Sequence, residues 1–220
     1  MNKKKILKSL EKILKRDFLA EPTGHDYYHF DRVRNLALRI AKEEKKGDLF
    51  LIQLGALMHD LADWKFHKGN FNESSKVGAI ILRKLGADSQ TITNVGHIVD
   101  NVSFKGEKEK NGAKTIEAKI VQDADRLEAL GAIGIARVMA TGSYLRTPIY
   151  DPRIKPKKNM TKAEYKKSLG KNTSINHFYE KLLLIKNLLN TKAAKKIAAP
   201  RHAFIKIYLK QFFAEWKGQK

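Results

Sequence analysis

Apolar residues recur every three or four positions along almost the whole chain, and this spacing constrains the fold more than any other feature. Within residues 27–45, for example, Val33, Leu36 and Ile40 form one stripe. Such spacing is typical of an amphipathic helix, whereas a half-buried strand alternates apolar and polar residues. Strand-like alternation is essentially missing from the sequence. The sequence therefore predicts an all-α fold.

The same pattern predicts the order of the helices. We expect a helix that begins after the N-cap Asp48, and further helices over residues 3–19, 27–45, 73–85, 88–103, 114–141, 175–191 and 192–217. The segment 142–174 is rich in lysine and proline, which predicts a long flexible loop, either a lid over a substrate or simply a mobile connection.

The length and composition predict how these helices assemble. A chain of 220 residues with 42% hydrophobic residues suits a single compact domain over residues 1–220. We expect a core at about 22–140, on which the helix 3–19 and the C-terminal helices 175–217 pack. The amphipathic N-terminal helix is expected to dock on this core rather than on a membrane surface.

The composition also limits the partners. The formal net charge of +21 attracts anions, but no nucleic-acid-binding motif accompanies it, which favours a small anionic substrate over nucleic acid. The absence of cysteine excludes disulfides and thiolate ligands. No apolar run approaches the roughly 20 residues that span a bilayer, and charges break any signal-peptide core at the N-terminus. We therefore expect a cytoplasmic protein without a membrane partner.

Ionisable residues interrupt the apolar stripes of three predicted helices. They are His29, the pair His59-Asp60 that follows the run LGALM, and Asp123. Burying such groups unpaired costs several kcal/mol, so they either neutralise one another in a hydrogen-bonded network or hold a divalent metal. Adjacent helical residues point about 100° apart. His59 and Asp60 can therefore share an ion only at a helix end or in a distorted turn.

The donor types indicate which metal would bind. Two imidazoles and two carboxylates suit manganese, iron, cobalt, nickel or zinc better than calcium or magnesium. The order His29, His59-Asp60, Asp123 resembles the H…HD…D signature of HD-domain metal-dependent phosphohydrolases. The segments GHDYYHFDRV, ALMHDLADWKFH and IVQDADRLEALGAIGIAR resemble the bacterial YpgQ/YedJ-like branch of these hydrolases.

The resemblance implies a helical HD domain that covers nearly the whole chain and holds its metal through His29, His59, Asp60 and Asp123. It also implies hydrolysis of a phosphate ester or phosphoanhydride, often in a nucleotide. Binuclear HD enzymes have further histidines before the last aspartate, whereas only His67 and His97 lie in that interval here. We therefore expect one divalent transition metal ion.

The predicted reaction splits a nucleotide, for example a nucleoside triphosphate into a monophosphate and pyrophosphate, by a metal-activated water. Asp60 and Asp63 are the predicted catalytic carboxylates, with Asp63 as general base or as the group that orients the water. The predicted phosphate-binding residues are Lys65, His67, Arg126, His177 and Lys181.

Two other functions compete with this reading. One is a non-catalytic basic protein that binds nucleic acid or a signalling nucleotide and uses the metal structurally. The other, less favoured, is an HD-like di-iron oxygenase, which needs a second set of histidines. We also expect a homodimer, which is common for helical domains of this size.

Overall fold

The computed structural model describes residues 1–62, 73–104, 111–168 and 170–220. All regular structure in these ranges is helical, which confirms the predicted all-α class. The helices are α1 (Lys3–Phe18), α2 (Tyr27–Glu44), α3 (Leu49–Met58), α4 (Glu73–Lys84), α5 (Ser89–Asp100), α6 (Ile116–Glu128), α7 (Gly131–Tyr144), α8 (Lys162–Ser168), α9 (Ser174–Glu180) and α10 (Lys192–Trp216). A 3₁₀ helix, Leu182–Leu188, lies between α9 and α10.

Side-chain caps fix the beginnings of the helices that carry the polar residues. Asp48 accepts hydrogen bonds from the backbone N–H groups of Phe50 and Leu51, which confirms it as the N-cap of α3. Asp26 caps α2 in the same way, by accepting from the N–H of His29 at 2.8 Å. Each cap satisfies an N–H group that has no partner within the helix.

The structure divides two helices that the sequence predicts as continuous. The predicted helix 114–141 is α6 followed by α7, because Leu130 between them is extended, with φ −109° and ψ 154°. Gly131 follows with a φ of 77°, a conformation that glycine adopts readily. The predicted helix 175–191 is α9 followed by the 3₁₀ helix. The predicted loop 142–174 is only partly irregular, because α7 continues to Tyr144 and α8 lies inside it.

Helices α2, α3 and α6 pack against one another at the centre of the described structure. Helix α3 buries residues around most of its circumference, which fits its sequence LFLIQLGALM. One hydrophobic cluster joins α2, α6 and α10, and a second joins α1, α3, α4 and α5. Helix α1 docks through the buried side chains Ile6, Leu10 and Leu14. None of the described helices is both long and apolar enough to cross a bilayer.

The close approach of α3 and α5 generates a stability prediction. A Cβ atom at Gly55 would lie 2.5 Å from Cγ2 of Ile98 and 3.3 Å from its Cβ, and this β-branched side chain cannot swing away. Gly55→Ala should therefore lower the free energy of unfolding by about 1–3 kcal/mol, measured by urea unfolding. Gly96→Ala on α5 is the matched control, since a Cβ there meets open space. It should stabilise by up to about 1 kcal/mol. Equal effects at the two glycines would contradict the described packing.

Candidate metal centre

Two buried histidines meet between α2 and α3. His29 lies in the first turn of α2, and His59 follows directly after α3 ends at Met58. Their Nε2 atoms are 3.1 Å apart. His29 is 0% exposed and His59 is 2% exposed. The apolar α3 carries His59 into the interior, and the Asp26 cap fixes the backbone of His29. Because α3 ends just before His59, the side chains of His59 and Asp60 can both point to the same place, as a shared ion requires.

Hydrogen-bond partners indicate where the imidazole protons lie. Nδ1 of His59 is 2.8 Å from the carbonyl oxygen of Ala56, which can only accept, so Nδ1 donates. Nδ1 of His29 lies 3.2 Å from Oε2 of Glu128. A neutral ring protonated at Nδ1 has a lone pair on Nε2. The neutral rings therefore direct two lone pairs into one small space.

Two carboxylates complete the cluster. Oδ2 of Asp60 lies 3.5 Å from Nε2 of His59 and 3.6 Å from Nε2 of His29. Oδ1 of Asp125 lies 3.5 Å and 3.9 Å from the same two atoms. Ligating atoms of His29, His59 and Asp125 all lie within 4.8 Å of one another. Converging imidazole nitrogens and carboxylate oxygens are a donor set that suits a divalent transition metal.

The carboxylates dominate the electrostatics of this cluster. Burial lowers the pKa of His59, but the negative charges of Asp60 and Asp125 outweigh it and raise the pKa to about 9. Burial likewise opposes ionisation of Asp125, yet its hydrogen bond and charge interaction with His59 lower its pKa to about 2. The pKa of Asp60 is held well below its usual value against burial, mainly by His59. The cluster therefore favours a bound cation, either a proton or a metal ion.

The structure does not bring Asp123, the predicted ligand from the third helix, to the histidines. Its carboxylate accepts hydrogen bonds from the backbone N–H groups of Asn190 and Thr191, at 2.9 and 2.8 Å, and from both of their side chains. These bonds fix the segment that leads into α10, so Asp123 stabilises the fold there and does not face the histidines. Asp125 takes the place in the cluster that the sequence assigned to Asp123.

Helical geometry explains this correction. Asp123 and Asp125 are separated by about 200° around the axis of α6, so they face opposite sides. Helix α6 is buried on nearly all sides, because α2, α3, α5, α7 and α10 surround it. An apolar stripe therefore does not identify one inward face. The second aspartate of the segment QDAD was the only sequence signal for Asp125.

A cavity of about 120 Å³ lies next to the cluster, between α7 and α9. The predicted phosphate-binding residues His177 and Lys181 line it, together with Arg137 and His25. Nε2 of His25 lies 4.0 Å from Oδ2 of Asp60, so His25 connects the cavity to the cluster. Sequence reasoning missed His25, although its position four residues before His29 was a signal.

The remaining predicted site residues are not found among the described residues of the cluster or the cavity. Asp63, Lys65 and His67 lie outside the described residues. The guanidinium of Arg126 donates to the carbonyl oxygen of Leu188, and burial lowers its pKa. Arg126 is thus engaged with the backbone before α10.

Comparison with known proteins finds similar chains. The HD domain family profile matches residues 26–130. The YpgQ protein of Bacillus subtilis is 32% identical over 199 residues, which cover 90% of this chain and 87% of YpgQ. Its structure in complex with ADP has a TM-score of 0.73 and 27% identity, and covers 98% of this chain and 97% of that one.

Two further crystal structures are similar over nearly the full length. A Lactobacillus plantarum protein superposes with a TM-score of 0.83 and 34% identity, covering 96% of this chain and 97% of that one. An HD-superfamily hydrolase from Bacillus thuringiensis has a TM-score of 0.70 and 36% identity, covering 99% of this chain and 100% of its own.

The different positions of the two aspartates on α6 predict opposite effects. Asp125→Asn should weaken metal binding by more than about tenfold, because it removes a charged ligand. Asp123→Asn should leave metal binding intact but lower the free energy of unfolding by about 1–3 kcal/mol, because it disturbs the buried bonds to Asn190 and Thr191. Metal content after gel filtration and urea unfolding measure the two quantities. Loss of metal only in Asp123→Asn would contradict the geometry.

The raised pKa of His59 predicts a pH dependence. In the metal-free protein, charged His59 stabilises the fold fully below its unfolded pKa near 6.5, and this contribution is lost as the pH rises through about 9. A metal needs the neutral ring and must displace that proton. The apparent affinity for Mn²⁺ should therefore rise about tenfold per pH unit from 6.5 to 9 and then level off. Calorimetric titration across this range measures it, and a flat profile would contradict a protonated His59.

Proposed function

Because the chain belongs to the HD domain family and is a metal-dependent phosphohydrolase, we propose that its substrate is a nucleotide. The observation that carries this proposal is the position of the cavity, which is lined by His177, Lys181 and the carboxylate of Glu180. It adjoins a cluster of two imidazoles and two carboxylates through His25. The family supplies the reaction class, and the cavity supplies a place for an anionic small molecule.

The described residues fit one divalent transition metal ion. His29, His59, Asp60 and Asp125 would hold it, because their imidazole nitrogens and carboxylate oxygens converge on one small space. Manganese, iron, cobalt, nickel and zinc all suit this donor set. The metal would supply Lewis acidity, which lowers the pKa of a water from 15.7 towards about 7 to 9 and polarises a phosphoryl oxygen.

The residues of the cavity would bind the phosphates. His177 and Lys181 lie one turn apart in sequence and both line the cavity. Arg137 also lines it, but its guanidinium donates to Glu128 and to the carbonyl oxygen of Gly24. Cations in such positions neutralise the charge that phosphoryl oxygens carry in the transition state. His25 lies between these cations and Asp60, so we assign it the position nearest the cleaved bond. The net charge of +21 would increase the rate at which an anionic substrate arrives.

Two observations favour a nucleotide over a simpler phosphate ester. The similar YpgQ protein of Bacillus subtilis forms a complex with ADP. The hydroxyl groups of Thr141, Thr147 and Ser174 also line the cavity. Those of Thr141 and Thr147 donate to the carbonyl oxygens of Thr23 and Gly142, so their oxygens can still accept from a ligand. Such groups suit the hydrogen bonds of a sugar and base.

We further propose that water attacks the α-phosphorus of a nucleoside triphosphate. The bond from that phosphorus to the bridging oxygen breaks, and the monophosphate and pyrophosphate leave. Asp63 stays the predicted general base. The homodimer and the cytoplasmic location also stay predictions from the sequence.

A panel of nucleoside triphosphates incubated with the Mn²⁺-loaded protein tests this function. We expect pyrophosphate and monophosphate as products, resolved by ion-exchange chromatography, and loss of turnover in Asp125→Asn. Orthophosphate as the first product would contradict cleavage at the α-phosphorus, and no turnover of any nucleotide would contradict the nucleotide substrate.

Lys181→Met tests the phosphate-binding role of the cavity. Loss of a cation that contacts the bound phosphates should raise KM by about tenfold, with a smaller change in kcat if the contact exists in the ground state. Lys186→Met, which removes an exposed charge on the neighbouring 3₁₀ helix, is the matched control and should leave KM unchanged. Equal KM values for the two variants would contradict the assignment of Lys181.

A further inference from the structure

Glu128 is a buried carboxylate at the edge of His29 opposite the metal cluster. Glu128 is only 2% exposed, and its Oε2 atom lies 3.2 Å from Nδ1 of His29. The contact lies outside strict hydrogen-bond geometry, yet Oε2 is within ion-pair distance of a buried ring nitrogen that makes no other hydrogen bond with the described residues. A buried carboxylate is costly unless it is paired and hydrogen-bonded, so its partners indicate what it does.

Two arginines from different helices fix this carboxylate. Nε of Arg32, one turn after His29 on α2, donates to Oε1 at 2.5 Å. A terminal nitrogen of Arg137 on α7 donates to Oε2 at 2.5 Å. The Nε of Arg137 also donates to the carbonyl oxygen of Gly24, at 2.9 Å, which ties the segment before α2 to the same group. Glu128 therefore joins α2, α6 and α7 at one point beside His29.

This arrangement determines the charge state of Glu128. Burial alone would raise its pKa, but the contacts with His29, Arg137 and Arg32 lower the pKa to about 2. The carboxylate accepts from both arginines, and its Oε2 faces Nδ1 of His29 at 3.2 Å. Its two arginines more than compensate its single negative charge, so the carboxylate is stable as an anion without taking a proton from His29.

We propose that Glu128 is a positioning residue that holds the proton of His29 on Nδ1 and thereby directs the Nε2 lone pair at the metal. The inference rests on the proposed function, since it requires His29 to be a ligand. His59 has a neutral acceptor, the Ala56 carbonyl, in the corresponding place. The two histidines thus differ in their supporting acceptor, and a carboxylate makes a ligating imidazole more basic than a carbonyl does.

The alternative is that Glu128 only neutralises the two arginines. Both roles predict that Glu128→Gln is less stable, because it leaves two partly buried cations without a counter-charge. The double variant Arg32→Gln/Glu128→Gln separates them, since it loses one positive and one negative charge together. A purely structural role predicts that stability and metal affinity both recover in the double variant. The positioning role predicts that stability recovers and metal affinity does not.

The test measures Mn²⁺ affinity by the electron paramagnetic resonance signal of free Mn²⁺, and stability by thermal unfolding with chelator present. Glu128→Gln and the double variant should bind Mn²⁺ about 10- to 100-fold more weakly than the wild type. Asp123→Asn is the matched control, because it alters a buried, multiply hydrogen-bonded carboxylate on the same helix without touching the cluster. It should keep wild-type affinity.

The outcomes distinguish this inference from the proposed function. Wild-type affinity in either Glu128 variant would overturn the positioning role while leaving the metal centre intact. A wild type that binds no Mn²⁺, Co²⁺ or Zn²⁺ would overturn the metal centre itself, and the positioning role with it.

Discussion

The 3.1 Å approach of two imidazole nitrogens in an apolar interior is the constraint on which the rest of the site depends. Neither ring has water to solvate it, so each must be paired through its other nitrogen. The carbonyl oxygen of Ala56 accepts from Nδ1 of His59, and the Glu128 carboxylate faces Nδ1 of His29 at 3.2 Å. Once the Nδ1 atoms are occupied in this way, the Nε2 atoms can only face each other and the carboxylates of Asp60 and Asp125.

The helices around the cluster make this arrangement rigid. Helix α3 is apolar around most of its circumference and ends where the polar pair begins, so burial of the helix also buries His59. Asp26 fixes the first turn of α2. Helix α6 contributes Asp125 and Glu128 from the centre of the fold. A site on three mutually packed helices is held more precisely than one on loops, which suits chemistry that depends on exact positions.

Charge is distributed unevenly in the molecule. The chain carries +21 overall, yet its interior gathers Asp60, Asp125 and Glu128 beside two neutral or protonated imidazoles. Among the described residues, the cavity beside them is lined by four basic residues and one carboxylate, that of Glu180. An acidic centre that holds a cation, next to a basic cavity that holds an anion, is the charge pattern that metal-assisted phosphoryl transfer requires.

The sequence was sufficient for part of this description. Three- and four-residue spacing predicted the helical class, and buried polarity in apolar stripes identified His29, His59 and Asp60. Asp125 was missed because α6 is surrounded by other helices, so its stripe has no single inward face. The break at Leu130 and Gly131 was missed because the apolar spacing continues through it. Glu128 was missed because its position depends on arginines from α2 and α7, and such contacts across helices are not visible in one sequence.

Anomalous X-ray diffraction from crystals grown with Zn²⁺ tests the metal centre most directly. We predict one strong peak about 2.0–2.2 Å from Nε2 of His29 and Nε2 of His59, with a carboxylate oxygen of Asp125 at a similar distance. A peak beside Asp123, or no peak near the two histidines at saturating metal, would contradict the assignment of this cluster as the centre of a metal-dependent phosphohydrolase.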